Sequence, residues 1–333
     1  MNIQSKINSE EYKKWSVRTD LAYDEAINHV SDLPDLIQSD EIIDDIPIYK
    51  SVVGPYASSV MNKKVGTYYT IDLENIDYHD LTICENVEKI VGKVIKRFID
   101  EKKLSRSKCL LVGLGNINVT PDALGPYVMD NVIVTRHLFK MNNVSEGFSE
   151  VSAISPGVMG TTGIETFDII KAVKEKIDID FMIVVDALAS NSTKRVNKTI
   201  QITDTGISPG SGVGNKRKEL SEETVGIPVI AVGVPTVVDA VTITNDTINY
   251  VIDYLIKDTK QTNNNSKELL MGQIGLLNEE EKRALMYDIL SPTGYNLMVT
   301  PKEVDEDISD LSKIIASGIN FAVHYGVLEG KTE

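Results

Sequence analysis

Two aspartates, Asp122 and Asp186, each stand at the end of an apolar run and inside a segment that reads as a turn. The first lies in Gly113-Leu114-Gly115-Asn116-Ile117-Asn118-Val119-Thr120-Pro121-Asp122-Ala123-Leu124-Gly125-Pro126, directly after the apolar residues 109–112. The second closes the β-branched run 181–185 in Val185-Asp186-Ala187-Leu188-Ala189-Ser190. In an open parallel sheet both side chains would lie at carboxyl ends of strands, where such sheets place their ligands. Two carboxylates beside one water divide the work of hydrolysis, one taking a proton and the other giving one. Backbone N–H groups of Gly115 and Asn116, or of Gly157, Gly160 and Gly163 in the second glycine-rich stretch, are candidates to stabilise an oxyanion. Lys216 and Arg217 close a third such stretch and are candidates to engage acidic substrate residues.

Each of these features has a plainer reading. Thr120-Pro121-Asp122 fits a helix cap, a first-turn proline and an acid that complements the helix dipole, although Gly125-Pro126 interrupts the helix that would follow. Asp186 reads equally as a cap after its strand. Pro209-Gly210-Ser211-Gly212-Val213-Gly214-Asn215-Lys216-Arg217 lacks the Gly-Lys-Ser/Thr ending of a phosphate loop, so it reads as a mobile loop beside a site or at a subunit contact. Serine or cysteine catalysis has no evident base, because His29, His79, His137 and His324 all lie away from the glycine-rich motifs. No His-Glu-x-x-His occurs, and no metal or cofactor is expected.

The elements that must position the aspartates alternate in type. Strands are predicted at 67–73, 108–112, 150–154, 181–185, 198–203 and 228–232, with helices at 84–103, 122–139, 163–176 and 236–257. That alternation predicts an α/β fold, a mostly parallel sheet flanked by helices and hydrolase-like or phosphorylase-like in layout. After the polar break at 261–266, amphipathic patterns at 267–289 and 303–325 predict a helical C-terminal addition, 261–333, packed on the catalytic domain of 21–260. Residues 31–45 are acidic and read as mostly solvent-facing.

Composition narrows the class. A net charge of −15 over 333 residues argues against direct contact with nucleic acid, whose phosphates need clustered Lys and Arg. Two cysteines, Cys84 and Cys109, fit a reducing compartment. No window approaches the roughly 20 apolar residues of a membrane span, and the polar first 15 residues carry no signal core, so the chain reads as cytosolic.

The segments around Asp122 and Asp186, with Ser152-Ala153-Ile154-Ser155-Pro156-Gly157-Val158-Met159-Gly160-Thr161-Thr162-Gly163, the stretch 209–217 and Gly233-Val234-Pro235-Thr236-Val237-Val238-Asp239-Ala240, together resemble the germination proteases of endospore-forming bacteria. The resemblance runs from about Ser16 to near the C-terminus. It implies an endopeptidase that degrades small acid-soluble spore proteins in the forespore or spore core. It also implies a homotetramer, with Asp122 and Asp186 as the hydrolytic pair. That family resembles hydrogenase maturation peptidases in the first turn, which keeps a metal-recognising maturation peptidase as the alternative; such a site would need a histidine, and none lies between His137 and His324.

Ser16-Val17-Arg18-Thr19-Asp20-Leu21-Ala22-Tyr23-Asp24-Glu25 is similar to the sequences these proteases cut, Thr-Glu-[Phe/Ile]-Ala-Ser-Glu. This implies a propeptide, residues 1–20, that the enzyme removes by cutting the Asp20–Leu21 bond. Tyr23 departs from the pattern, where substrates carry serine.

Overall fold

The computed structural model describes residues 21–22, 33–209, 218–259, 277–290 and 297–324. In chain order these form a hairpin of β1 (Leu36–Ile43) and β2 (Ile46–Val53), helix α1 (Pro55–Met61), β3 (Gly66–Asp72) and the long helix α2 (Leu81–Glu101). Next come β4 (Cys109–Gly113), a 3-10 turn (Thr120–Asp122), α3 (Leu124–Asn131), α4 (Arg136–Lys140), β5 (Val151–Ile154), α5 (Met159–Thr162), α6 (Thr166–Lys176) and β6 (Phe181–Ser190). The chain continues through β7 (Thr199–Thr203), α7 (Glu222–Val225), β8 (Val229–Asp239), α8 (Ala240–Thr259), α9 (Glu279–Leu290), β9 (Met298–Val299) and α10 (Val304–Val323).

One sheet carries all nine strands, in the order β1-β2-β3-β7-β8-β6-β4-β5 with β9 on β8. Its core is parallel, β5 to β4 to β6 to β8, as the alternation of strand and helix predicts. Beyond β8 the sheet turns antiparallel through β7, β3, β2 and β1. The β1–β2 hairpin is the part the sequence reading passed over. Its acidic first strand is mostly exposed, which is why residues 31–45 read as solvent-facing, yet it pairs along its whole length with β2.

Helix α2 shows why these residues fold as they do. Asp80 caps it by accepting from the backbone N–H of Thr82 and Ile83, a cap worth about 1 kcal/mol. Val87, Ile90, Val91, Val94, Ile95 and Phe98 repeat at helical spacing, and all six are buried. The face they make packs on α10 so closely that two glycines are required. A Cβ at Gly92 would meet Phe321 at 2.6 Å, and one at Gly318 would meet Val91 at 2.5 Å. Tyr78 locks the same layer, its hydroxyl donating to Asp307 on α10 and to the carbonyl of Asn197. The predicted helix at 303–325 is therefore part of the main core.

Two differences from the predicted elements bear on function. Strand β6 does not stop at Asp186 but runs on to Ser190, paired with β8 through Ser190–Val238. The helix predicted at 122–139 is broken into the 3-10 turn, α3 and α4; Pro121 and Pro126 stand in the 3-10 turn and in the first turn of α3, and a second break follows at 132–135. Among the described residues no helix is long and apolar enough to cross a membrane.

Candidate active site

Strand β4 ends at Gly113, in register with Val185 of β6. Leu114 still donates to the Val185 carbonyl at 2.8 Å, and there the chain leaves the sheet. Asp186 is the next residue on β6, so it lies just past the end of its shorter neighbour and is only 5% exposed. Its carboxylate accepts the N–H of Ala187 at 3.0 Å. The position at a strand end that the sequence predicts for Asp186 is thus supplied by β4, not by β6.

The gap beyond Gly113 is filled by the loop that carries Asp122. Gly115 sits at φ +115°, and a Cβ there would lie 1.9 Å from the carbonyl oxygen of Asp122, so only glycine lets the loop close. Closure is then held by one amide. The Asn116 N–H donates to both the carbonyl and the carboxylate of Asp122, at 3.0 and 2.9 Å. Asn116 also folds its own side chain over the N–H of Asn118. The turn is fastened to the sheet from the other side by Thr236 of β8, buried, whose hydroxyl donates to the Pro121 carbonyl at 2.6 Å.

Helix α3 completes the seat. A Cβ on Gly125 would meet Leu114 O at 2.2 Å and Val185 O at 2.7 Å, and a Cβ on Gly113 would meet Gly125 O at 2.2 Å. The helix start is wedged against the end of β4 and the middle of β6, beside Asp186. No side chain caps the 3-10 turn or α3, so the plainer reading fails for a Thr120 cap, whereas Pro121 and Asp122 do stand in the turn as its leading proline and acid.

The other candidates divide. The Asn116 amide, a candidate oxyanion donor, is engaged in this structure in holding Asp122. Gly157 and Gly163 take positive φ in the loop and short helix that leave the carboxyl end of β5, and Gly160 has open space around it. That loop emerges on the same sheet edge as the Asp122 turn. Lys216 and Arg217 lie outside the described residues, as does Asp20; Leu21 lies within them and is fully buried.

Nucleophiles of other classes are poorly placed. Burial drives the Cys109 thiol far above its usual range, and burial together with the charge of Glu88 raises Cys84 to about 11, so neither is a thiolate at neutral pH. His324 is buried, accepting from Ser149 N–H and bonded to the Ile133 carbonyl, and burial lowers its pKa. Among the described residues the set that could converge on a cation is His79, Glu306 and Asp310, which includes neither aspartate.

Two residues near the pair escaped the sequence reading. Gln201 is a buried polar side chain inside an otherwise β-branched strand, and in register it faces Gly233, which faces Asp186. Thr236 stood within a quoted motif, but nothing local tied it to Pro121, 115 residues away.

A family model described as germination protease matches residues 16–271 and 262–333. Curated relatives include the germination proteases of Bacillus mycoides (strain KBAB4), Bacillus cereus (strain G9842) and Bacillus anthracis (strain CDC 684 / NRRL 3495). Each is 48% identical to this chain over 96% of both sequences.

Proposed function

This chain belongs to the germination protease family and is a germination-associated endopeptidase; from that premise we propose that Asp122 and Asp186 act as a pair on one water molecule to hydrolyse the peptide bond. The reading rests chiefly on one observation. The turn that carries Asp122 is closed by Gly115, clamped by Asn116 and pinned by Thr236 at the very place where β4 stops and β6 presents Asp186.

Like charges at short range do not both ionise easily, so such a pair shares a proton and titrates as a unit. The ionised member takes a proton from water as it attacks the carbonyl carbon, and the protonated member passes its proton toward the carbonyl oxygen or the leaving nitrogen. Backbone N–H groups of the 157–163 loop are the donors we assign to the oxyanion.

The substrates in this reading are small acid-soluble spore proteins, and the enzyme works as a homotetramer in the forespore and spore core. The first 20 residues form a propeptide removed at Asp20–Leu21 by the same two carboxylates. Asp122→Asn and Asp186→Asn should each lower kcat/KM on a substrate peptide by about 100-fold or more, the scale of a lost general acid or base, with the fold intact. At mildly acidic pH the unaltered chain should shorten to a product beginning at Leu21, whereas Asp122→Asn stays full length. Near-normal turnover in either folded variant removes that residue from the mechanism.

A further inference from the structure

The two residues that follow the proposed cleavage bond are already seated against the sheet. Leu21 and Ala22 are fully buried, and the Ala22 N–H donates to the side-chain carbonyl of Gln201 at 2.7 Å. Ala22 belongs to one buried apolar cluster with Val53, Ala57, Met61 and Tyr68, among others. Gln201 is itself 6% exposed.

Register places this contact near the chemistry. Gln201 on β7 pairs with Gly233 on β8, and Gly233 pairs with Asp186 on β6, so the three residues form one row across the sheet. Side chains of directly paired residues project from the same face, which puts Gln201 and Asp186 on one side, two strand spacings or about 10 Å apart between backbones. Gly233 contributes no side chain to the row. A cavity of about 150 Å³ opens on this face, with Gln201, Gly233, Leu188, Tyr68, Lys64 and Glu219 in its lining.

From this we propose that Gln201 is a substrate-positioning residue, reading the backbone N–H of the second residue beyond the scissile bond, in a subsite shaped for a small side chain. The assignment rests on the functional reading above, in which the bond ending at the Leu21 nitrogen is cut. Holding the Ala22 nitrogen fixes the Leu21 nitrogen to within one residue length, about 3.5 Å, and so sets which bond faces the aspartates. A side-chain amide that accepts from a peptide N–H reads main chain, so it serves any sequence that presents the same strand. The burial around Ala22 adds the choice of side chain: the residue is fully buried in an apolar cluster with Val53, Met61 and Tyr68, a setting that favours a small apolar side chain there. The ligand class is an extended peptide with alanine or a residue of similar size at that position. The propeptide junction and a separate substrate take the same seat in turn.

The test uses the full chain and its own processed form. Gln201→Met keeps length and removes the acceptor. Its conversion at mildly acidic pH to the form beginning at Leu21 should slow about tenfold, the scale of one buried hydrogen bond. The processed proteins are then given the peptide of residues 16–25 and its analogue with an ester in place of the Leu-Ala amide, which lacks that N–H. The ester should cost the wild type about tenfold in kcat/KM and cost Gln201→Met nothing further, the pattern of two changes that remove one contact. The ester comparison needs only the wild-type chain, so it stands even where the variant folds poorly. Equal cleavage of amide and ester by the wild type overturns the assignment. So does a variant that processes itself slowly yet cleaves the peptide normally, because Gln201 then merely holds the N-terminal arm. A wild-type chain that cuts neither itself nor the amide peptide sinks the functional reading, and this inference with it.

Discussion

Gly125→Ala offers the sharpest check on how the site is built, because helix propensity and tertiary packing predict opposite outcomes. In an unconstrained helix the change would stabilise by about 0.5–1 kcal/mol. Here the new Cβ would fall 2.2 Å from Leu114 O, 2.5 Å from Leu114 N and 2.7 Å from Val185 O. All three are backbone atoms, two just past the end of β4 and one in β6 next to Asp186, so no side chain can swing aside. Ordinary contact begins near 3.4 Å, which requires α3 to withdraw by about 1 Å from the β4–β6 edge. Overpacking of that size costs about 1–3 kcal/mol. Helix α3 follows Asp122 directly, and a shift of about 1 Å in a reacting group is worth about 100-fold in rate. The expected result is a folded protein with a lower urea midpoint and kcat reduced about 100-fold on a substrate peptide. Lys93→Ala is the control: the residue is exposed on α2, outside the proposed machinery, so stability and rate should hold. Should Gly125→Ala match the wild type in both midpoint and kcat, the wedge between α3 and the two strands has been misread.

Two further outcomes are expected. His324 accepts from Ser149 N–H through Nδ1, and burial lowers its pKa, so as pH falls through about 6.5 the unfolded chain binds a proton that the folded chain resists. The stability it contributes is therefore present above that pH and lost below it; the wild-type melting temperature should fall between pH 7 and pH 5 by more than that of His324→Gln, and parallel curves would remove the histidine from the acid response. Thorough chelation should leave peptidase activity within about twofold, since two carboxylates acting on water need no Lewis acid; activity that vanishes and returns with nickel or zinc would favour the maturation-peptidase alternative.

Much of the framework was legible because it is local. The runs at 109–112, 181–185 and 198–203 are largely buried strands, that at 150–154 is a half-buried edge strand, and the 3.6-residue repeat of Val87 to Phe98 is the buried face of α2, since side-chain period follows directly from backbone geometry. The two candidate aspartates stand out for the same reason, Asp122 in a glycine-rich turn after one apolar run and Asp186 at the end of another. What the sequence could not settle is how far strands run and what they meet. Asp186-Ala187-Leu188-Ala189-Ser190 and the Pro235 segment look like strand ends when read alone, yet β6 and β8 extend through them because each supplies the other's hydrogen-bonding partner. Strand β1 is acidic and mostly exposed, so its order comes from pairing with β2, which pairs in turn with β3, and leaves little trace in hydropathy. Gln201 reads as an unremarkable polar residue in a strand until the fold sets it in one row with Gly233 and Asp186 and lays Ala22, 179 residues away in the chain, against it. Composition and periodicity are sums over neighbours in sequence and so determine which residues are buried; the seat of the aspartates and the row of Gln201, Gly233 and Asp186 depend on neighbours in space, which only the assembled sheet provides.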